Sequence, residues 1–536
     1  MGFDFLNYPY PSQRMTVFGK RGMVATSQPL AAQAGLRVMQ RGGNAVDAAV
    51  ATAACLTVVE PTSNGIGGDA FALVWSRGKL HGLNASGPAP KSISIEALQK
   101  RGLTEIPAFG PVPVTVPGVP AAWAELSGQF GRLPFAEVLE PAVEYAERGF
   151  PVSPVTGMHW EEAMALYEKE LDGESFSHWR RVFAPRGKQP GIGEVWNSPD
   201  HARTLRLISE SKAESFYRGS LAEDIVRFLK SKDGFLEKED LENFSPEWVQ
   251  PVHVHYKGYD VWEIPPNGQG LVALMALNIL KGLELGAKDE EASFHRQIEA
   301  LKLAFADGKA HITDPVKMTV SVGDLLSDGF AAKRRKLITE NALEPYPGRP
   351  ERGGTVYLAT ADGEGNMVSF IQSNYMSFGS GMVVPGTGIT LQNRGCNFSM
   401  DPGHPNALEP GKRTYHTIIP GFLTKDGEPV GPFGVMGGFM QPQGHLQVLV
   451  NTIDYKLNPQ AALDAPRWQW TGGKTIFFEH EVPRHVVQAL ARRGHDVRIA
   501  AFSESFGRGQ IIWRDASSGV LQGGTEKRTD GTIAAW

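Results

Sequence analysis

The chain has 536 residues, 41% of them hydrophobic and 21% charged, a balance that excludes general disorder and provides for a packed interior. Lys and Arg number 53 against 58 Asp and Glu, a net charge of −5, which argues against nucleic acid or an anionic membrane as the main partner. At roughly 150 residues per domain, the length allows about three or four domains or one large interwoven unit.

The opening segment, MGFDFLNYPYPSQRM, has no basic stretch followed by an apolar one. It is expected to be a loose arm rather than a secretory signal. No apolar run approaches the ~18 residues of a membrane span, so the expectation is a soluble, cytoplasmic, enzyme-sized protein. Cys55 and Cys396 can form one bridge at most and have no zinc-site spacing. Ser27 reads as the N-cap of a helix with Pro29 in its first turn, running to about Gln40. Asn44 caps the next helix, AVDAAVATAACLTVV, so uniformly small or apolar that burial on most sides is expected. Gly65, Gly67 and Gly68 precede a strand from Ala70 to Trp75. A dinucleotide fingerprint places its glycines after a strand and before a helix, so the reversed order here reads as a structural turn.

Helices are expected near 118–129, 134–148, 157–170, 200–212, 220–231, 270–283 and 290–308. The stretch VHVHYKGYDVWEIPP, near 252–266, reads as a half-buried strand. His253 and His255 share a face there, in a setting that suits strand packing better than a metal pair. Residues 335–354 are polar and rich in breakers, as in an exposed connection. From Thr355 the texture turns to strands, with a hairpin turn from Asp362 to Asn366. Further strands are expected near 382–391, 416–424 and 430–436, and a helix near 441–454 after Gly437-Gly438. A strand, a helix at 483–493 and two strands close the chain. Both halves are mixed, which suits stacked sheets covered by helices.

Familiar catalytic signatures are missing: there is no G-x-S-x-G elbow and no H-E-x-x-H helix. What remains is Gly353-Gly354-Thr355, a threonine opening a strand after a polar linker. A threonine hydroxyl becomes a useful nucleophile when it belongs to the first residue of a chain, because the α-amine, with a pKa near 8, then acts as its base. Alone, such a triplet is more often a turn.

Its setting changes that weighting. GNAVDAAVAT, NGIGGDAFAL, TVPGVPAAW, LEPAVEYAERGF, PPNGQG, IEALKLAFAD, the Thr355 strand, MGGFMQPQG and VNTIDYKLNPQAALDAPR occur in that order. The series resembles the γ-glutamyltranspeptidase family, from about Gly22 to the C-terminal GGTEKRTDG. The resemblance implies an N-terminal-nucleophile hydrolase: an α+β, four-layer αββα sandwich whose precursor cuts itself. Cleavage would fall between Gly354 and Thr355, giving fragments 1–354 and 355–536 that associate as one interwoven domain, with further oligomerisation left open. Length scaling of 58.3 kDa gives about 38 and 20 kDa. It implies Thr355 as nucleophile, Ser373 as the auxiliary hydroxyl eighteen residues on, and Gly437 and Gly438 as oxyanion donors. No cofactor or metal is implied, and the partner is a small-molecule amide.

Departures from the family's pattern fall in the substrate clamp. The segment that carries the family's carboxylate-binding arginine reads GLNASGPAP from Gly82, without arginine. Asn397 stands for an aspartate, Tyr375 for an asparagine, and KRTYHTIIP replaces a Ser-Ser pair. The short loop between Phe398 and Lys412 implies an open pocket. The pattern is similar to the branch of glutathione hydrolase-like proenzymes, cephalosporin (glutaryl) acylases and oxamate amidohydrolases. Arg394 is the candidate carboxylate partner, since a guanidinium matches a carboxylate bidentately; a structural arginine is the alternative. Arg413, Tyr415 and His416 are weaker pocket candidates, with His416 read as a packed residue rather than a base. The expected activity is hydrolysis or transfer of γ-glutamyl or glutaryl-type amides. Its alternatives are an oxamate-type small amide hydrolase and an uncleaved, non-catalytic binding or structural relative.

Overall fold

Side-chain alternation along the strand Gly354–Asp362 decides the layering. Val356 and Leu358 enter a core shared with the helices Pro29–Gln40 and Ala45–Val59. Tyr357, Ala359 and Ala361 point the opposite way, into a second core with Phe422, Met436 and Ile512. A strand with two apolar faces must be covered on both, and here one cover is helical and the other is a second sheet. The chain is described from a computed structural model that covers residues 4, 6, 13–171, 173–345 and 354–536.

Both main sheets have seven antiparallel strands. One runs Thr532–Ala535, Gly22–Thr26, Gly354–Asp362, Met367–Tyr375, Asp69–Ser76, Lys79–Ala85, Glu247–Val249. The other runs Val17–Gly19, Leu521–Thr525, Arg508–Arg514, Glu428–Met436, Gly421–Lys425, Tyr259–Glu263, Val252–Tyr256. The outer face of this second sheet packs Val261, Leu423, Phe433 and Ile511 against the helices Gly270–Leu280, Glu291–His311 and Gln441–Ile453. The result is the four-layer αββα sandwich expected from the resemblance. Each sheet mixes strands from before and after Gly354, so the two stretches share continuous hydrogen-bond ladders.

Several local expectations are corrected. Gln28, not Ser27, caps the first helix: its Oε1 accepts from the Leu30 and Ala31 N–H groups, while the Ser27 hydroxyl donates to Glu60. The 252–266 stretch is a hairpin turning at Lys257-Gly258, with His253 against the Trp262 ring and His255 bonded across to Asp260. Residues 382–391 form no strand, only isolated bridges from Val383 to Thr390 and from Leu391 to Gly67, because Gly386 and Gly388 turn the backbone to positive φ. Four strands rather than two follow the last helix: Asp496–Ile499, Arg508–Arg514, Leu521–Thr525 and Thr532–Ala535. Cys55 and Cys396 form no disulfide with each other. The expected exposed connection is docked over its first part: Ala342 N donates to Arg493 O, and Leu343 N to Glu299 Oε2. The rest of it, 346–353, lies outside the described residues. Among the described residues no helix is long and apolar enough to cross a membrane.

The two sheets approach closely where the strand Glu428–Met436 crosses Gly354–Asp362. A Cβ at Gly434 would lie 2.4 Å from the Tyr357 ring, a clash in a core that is close-packed. Gly434→Val is therefore expected to destabilise by about 1–3 kcal/mol or more, read as a lower denaturation midpoint. An unchanged midpoint would contradict this packing.

Candidate active site

Thr355, Ser373 and Asp69 project from one face of three neighbouring strands. Gln372 and Thr360 bond to the helix layer, at Ala53 O and Ala45 O, so the residues that alternate with them face the other sheet. The ladder between Gly354–Asp362 and Met367–Tyr375 slips by one residue next to the threonine, pairing Gly354 with Tyr375 but Val356 with Gln372. Such a bulge re-aims a side chain. Here it brings Thr355 Oγ1 within 3.1 Å of Ser373 Oγ.

Both hydroxyls converge on the carbonyl of the preceding peptide. Thr355 Oγ1 donates to Gly354 O at 2.8 Å and Ser373 Oγ donates to it at 2.5 Å. The Tyr375 N–H donates to Ser373 Oγ at 2.8 Å, fixing the serine in turn. A Cβ at Gly354 would meet Ser377 and Ser63 backbone atoms, and Thr355 is only 1% exposed. The turn before Asp69 is close-fitting as well: a Cβ at Gly68 would lie 2.6 Å from Ser373 O. That contact gives the Gly65–Gly68 run the structural role read from its sequence.

Gly437 and Gly438 end the strand Glu428–Met436 and have φ of 135° and 58°. These values favour glycine and turn the backbone sharply. The turn is held from behind by Gln269, whose Nε2 donates to Gly438 O at 2.9 Å and to Thr417 O at 2.6 Å. Tyr415 OH donates to Gln269 Oε1 at 3.0 Å and its ring stacks on Phe439. Tyr415 therefore supports this turn. Asn397 supports Tyr415, donating through Nδ2 to Tyr415 O at 3.3 Å.

Beside Ser373 lies a buried charged group. Asp69 pairs with Ser373 across the ladder. Its Oδ2 accepts from His416 Nε2 at 3.0 Å and its Oδ1 from Gly87 N at 3.2 Å. His416 Nδ1 accepts from Ile418 N at 3.4 Å, which assigns a neutral ring with the proton on Nε2. Burial, with Arg394 nearby, holds the imidazole well below its ordinary pKa. Arg394 Nε is 4.0 Å from Asp69 Oδ2, its Nη1 donates to Thr417 Oγ1 at 2.7 Å, and its guanidinium lies 4.3 Å over the Tyr375 ring. Tyr375 is held at a φ of 78°. Burial brings Arg394 down to about 10 and raises Asp69 to about 7, against the opposing pull of Arg394 on the acid.

The structure thus unites Thr355 with Ser373, and Arg394 with Tyr375 and His416. Arg413 is engaged elsewhere, donating to Ser86 O at 3.0 Å and to Glu247 at 2.9 Å. Asp69 and Gln269 were missed as site residues. Both stand inside quoted motifs, NGIGGDAFAL and PPNGQG, which is the signal that pointed to them.

Among the described residues, His295, Glu299 and His495 place ligand-type atoms within 4.8 Å of one another. Lys302 already supplies the cation: its Nζ donates to Glu299 Oε1 at 2.8 Å and lies 3.4 Å from His495 Nδ1. The set holds residues 339–343, through His295 to Thr339 O and Lys302 to Leu343 O.

A family model described as Gamma-glutamyltranspeptidase matches residues 31–536. The chain is 38% identical to the glutathione hydrolase-like YwrD proenzyme of Bacillus subtilis (strain 168), covering 96% of this chain and 98% of that protein. It is 34% identical to the oxamate amidohydrolase proenzyme of Klebsiella pneumoniae subsp. pneumoniae, with the same coverage. The crystal structure of a cephalosporin acylase from Bacillus halodurans superposes with a TM-score of 0.98 at 62% identity, covering 100% of this chain and 99% of that one.

Ser373→Ala removes one of the two donors to Gly354 O. It is expected to slow chain cleavage at least tenfold on a timed denaturing gel, whereas Ser373→Thr, which keeps the hydroxyl, restores most of the rate. Equal rates for all three proteins would remove Ser373 from the machinery.

Proposed function

The chain belongs to the gamma-glutamyltranspeptidase family, and from that premise we infer an autoprocessing amidase with Thr355 as its nucleophile. The observation that carries this reading is the convergence of the Thr355 and Ser373 hydroxyls on Gly354 O. In maturation, Thr355 Oγ attacks the Gly354 carbonyl carbon while Ser373 donates to the developing oxyanion. The C–N bond breaks as the ester forms, the amide nitrogen gaining a proton. Water then hydrolyses the ester, freeing the Gly354 carboxylate and the Thr355 α-amine. The shared sheets keep fragments 1–354 and 355–536 together as one domain.

The same hydroxyl then serves the substrate. The new α-amine takes the Thr355 proton, Oγ attacks the amide carbonyl, and the Gly437 and Gly438 N–H groups receive the oxyanion, at roughly 3–4 kcal/mol per donor. The protonated amine passes its proton to the leaving amine, and water, or an acceptor amine, releases the acyl group from Thr355.

For the acyl group we favour a chain bearing a carboxylate, of glutaryl or γ-glutamyl type. Among the described residues Arg394 Nε and Nη2 have no hydrogen-bond partner, and the residue is 1% exposed. Leaving a buried charged donor unmatched costs about 1–3 kcal/mol or more, which a bound carboxylate would recover. Asn397, by contrast, is a neutral amide occupied by Tyr415 O, a poor holder for an α-ammonium group. The oxamate amidohydrolase relative supports a shorter carboxylate-bearing amide as the second reading. A cytoplasmic location remains part of this proposal.

Thr355→Ala is expected to run as one band instead of bands near 38 and 20 kDa, and to lack amide hydrolysis. Turnover by that variant would refute the mechanism. Arg394→Ala is expected to raise KM for glutaryl-p-nitroanilide roughly tenfold or more; an unchanged KM would remove Arg394 from the acyl pocket.

A further inference from the structure

The acyl pocket proposed above already holds an acid. Asp69 is fully buried, directly opposite Ser373 in the ladder, with Oδ2 shared between His416 Nε2 at 3.0 Å and Arg394 Nε at 4.0 Å. A carboxylate arriving at the Arg394 nitrogens that lack a hydrogen-bond partner among the described residues would place two anions around one buried guanidinium. Two carboxylates sharing such a site cannot both ionise cheaply. We propose that Asp69 is the specificity-determining acid of this pocket, taking up a proton from solvent as the substrate's carboxylate reaches Arg394. Protonation also changes Asp69 from a pure acceptor into a group with an O–H donor.

The groups that face Asp69 leave it as the one that titrates. His416 is neutral and uses both ring nitrogens, donating to Asp69 and accepting from Ile418 N. Arg394 carries the fixed positive charge. Arg413 acts on Asp69 at longer range and is committed to Glu247, and Tyr217, which also feels the acid, is held protonated by burial. Gly87 N is a neutral donor. Burial already raises Asp69 to about 7 in the free chain, and an added anion raises it further. Binding therefore takes up a proton between the two values, and affinity falls as pH rises through the lower one.

This inference rests on the Arg394 reading, and the test separates the two. The mature wild-type enzyme is assayed from pH 6 to 9 with glutaryl-p-nitroanilide and with pentanoyl-p-nitroanilide, which lacks the carboxylate. The ratio of their kcat/KM values cancels ionisations common to both substrates, the Thr355 amine included. The ratio is expected to be high at pH 6 and to fall by up to tenfold per pH unit above about 7, and in Asp69→Asn to become independent of pH. A ratio that is high but flat in the wild type leaves the Arg394 reading standing and overturns the role of Asp69. A ratio near one at every pH overturns both. A fall that persists in Asp69→Asn assigns the proton to another group and overturns the proposal. Should Asp69→Asn fail to fold, the wild-type profile still decides, because a flat ratio contradicts the proposal without the variant.

Discussion

Two hydroxyls, those of Thr355 and Ser373, meet at the carbonyl oxygen of Gly354, and much of the site is arranged to keep them there. The meeting depends on a one-residue slip between two central antiparallel strands. It also depends on Tyr375, whose N–H holds the serine oxygen from the far side. Strands from both sides of the Gly354–Thr355 peptide are hydrogen-bonded in the same sheet, so the proposed scission would leave intact the fold that holds the carbonyl. Proximity of this kind converts an unlikely peptide cleavage into an effectively unimolecular step.

The second theme is how little free charge the pocket contains. Asp69, His416 and Arg394 are all buried. The Asp69 and Arg394 charges oppose each other and neutral His416 donates to the acid, while Arg394 Nε and Nη2 have no hydrogen-bond partner among the described residues. His416 serves as a neutral donor that orients the acid, so the base for the reaction has to come from elsewhere. In the proposed mechanism the freed α-amine of Thr355 fills that role without a further residue. Gln269 ties the Gly437-Gly438 turn to Thr417, the residue after His416, joining the proposed oxyanion donors and the proposed acyl pocket through one amide.

The layered fold was legible in the sequence because alternation and helical runs are local signals. The helix Ala45–Val59 is wholly buried, as its composition required. Local signals also misled where tertiary contacts prevailed. Ser27 looks like a cap, yet its hydroxyl is drawn to Glu60, thirty-three residues on, and Gln28 takes the position. The apolar run at 382–391 looks like a strand, but Gly386 and Gly388 bend it. Thr355, Ser373 and the glycine pair could be found because the family resemblance carried them by position. Asp69 stood inside a quoted motif, but nothing local marked its role, since its partners lie 325 and 347 residues away.

Intact-mass spectrometry of active, mature protein tests the central claim most directly. The account predicts two polypeptides, the smaller beginning at Thr355 with a free α-amine. Full activity in material whose Gly354–Thr355 bond is unbroken would contradict it.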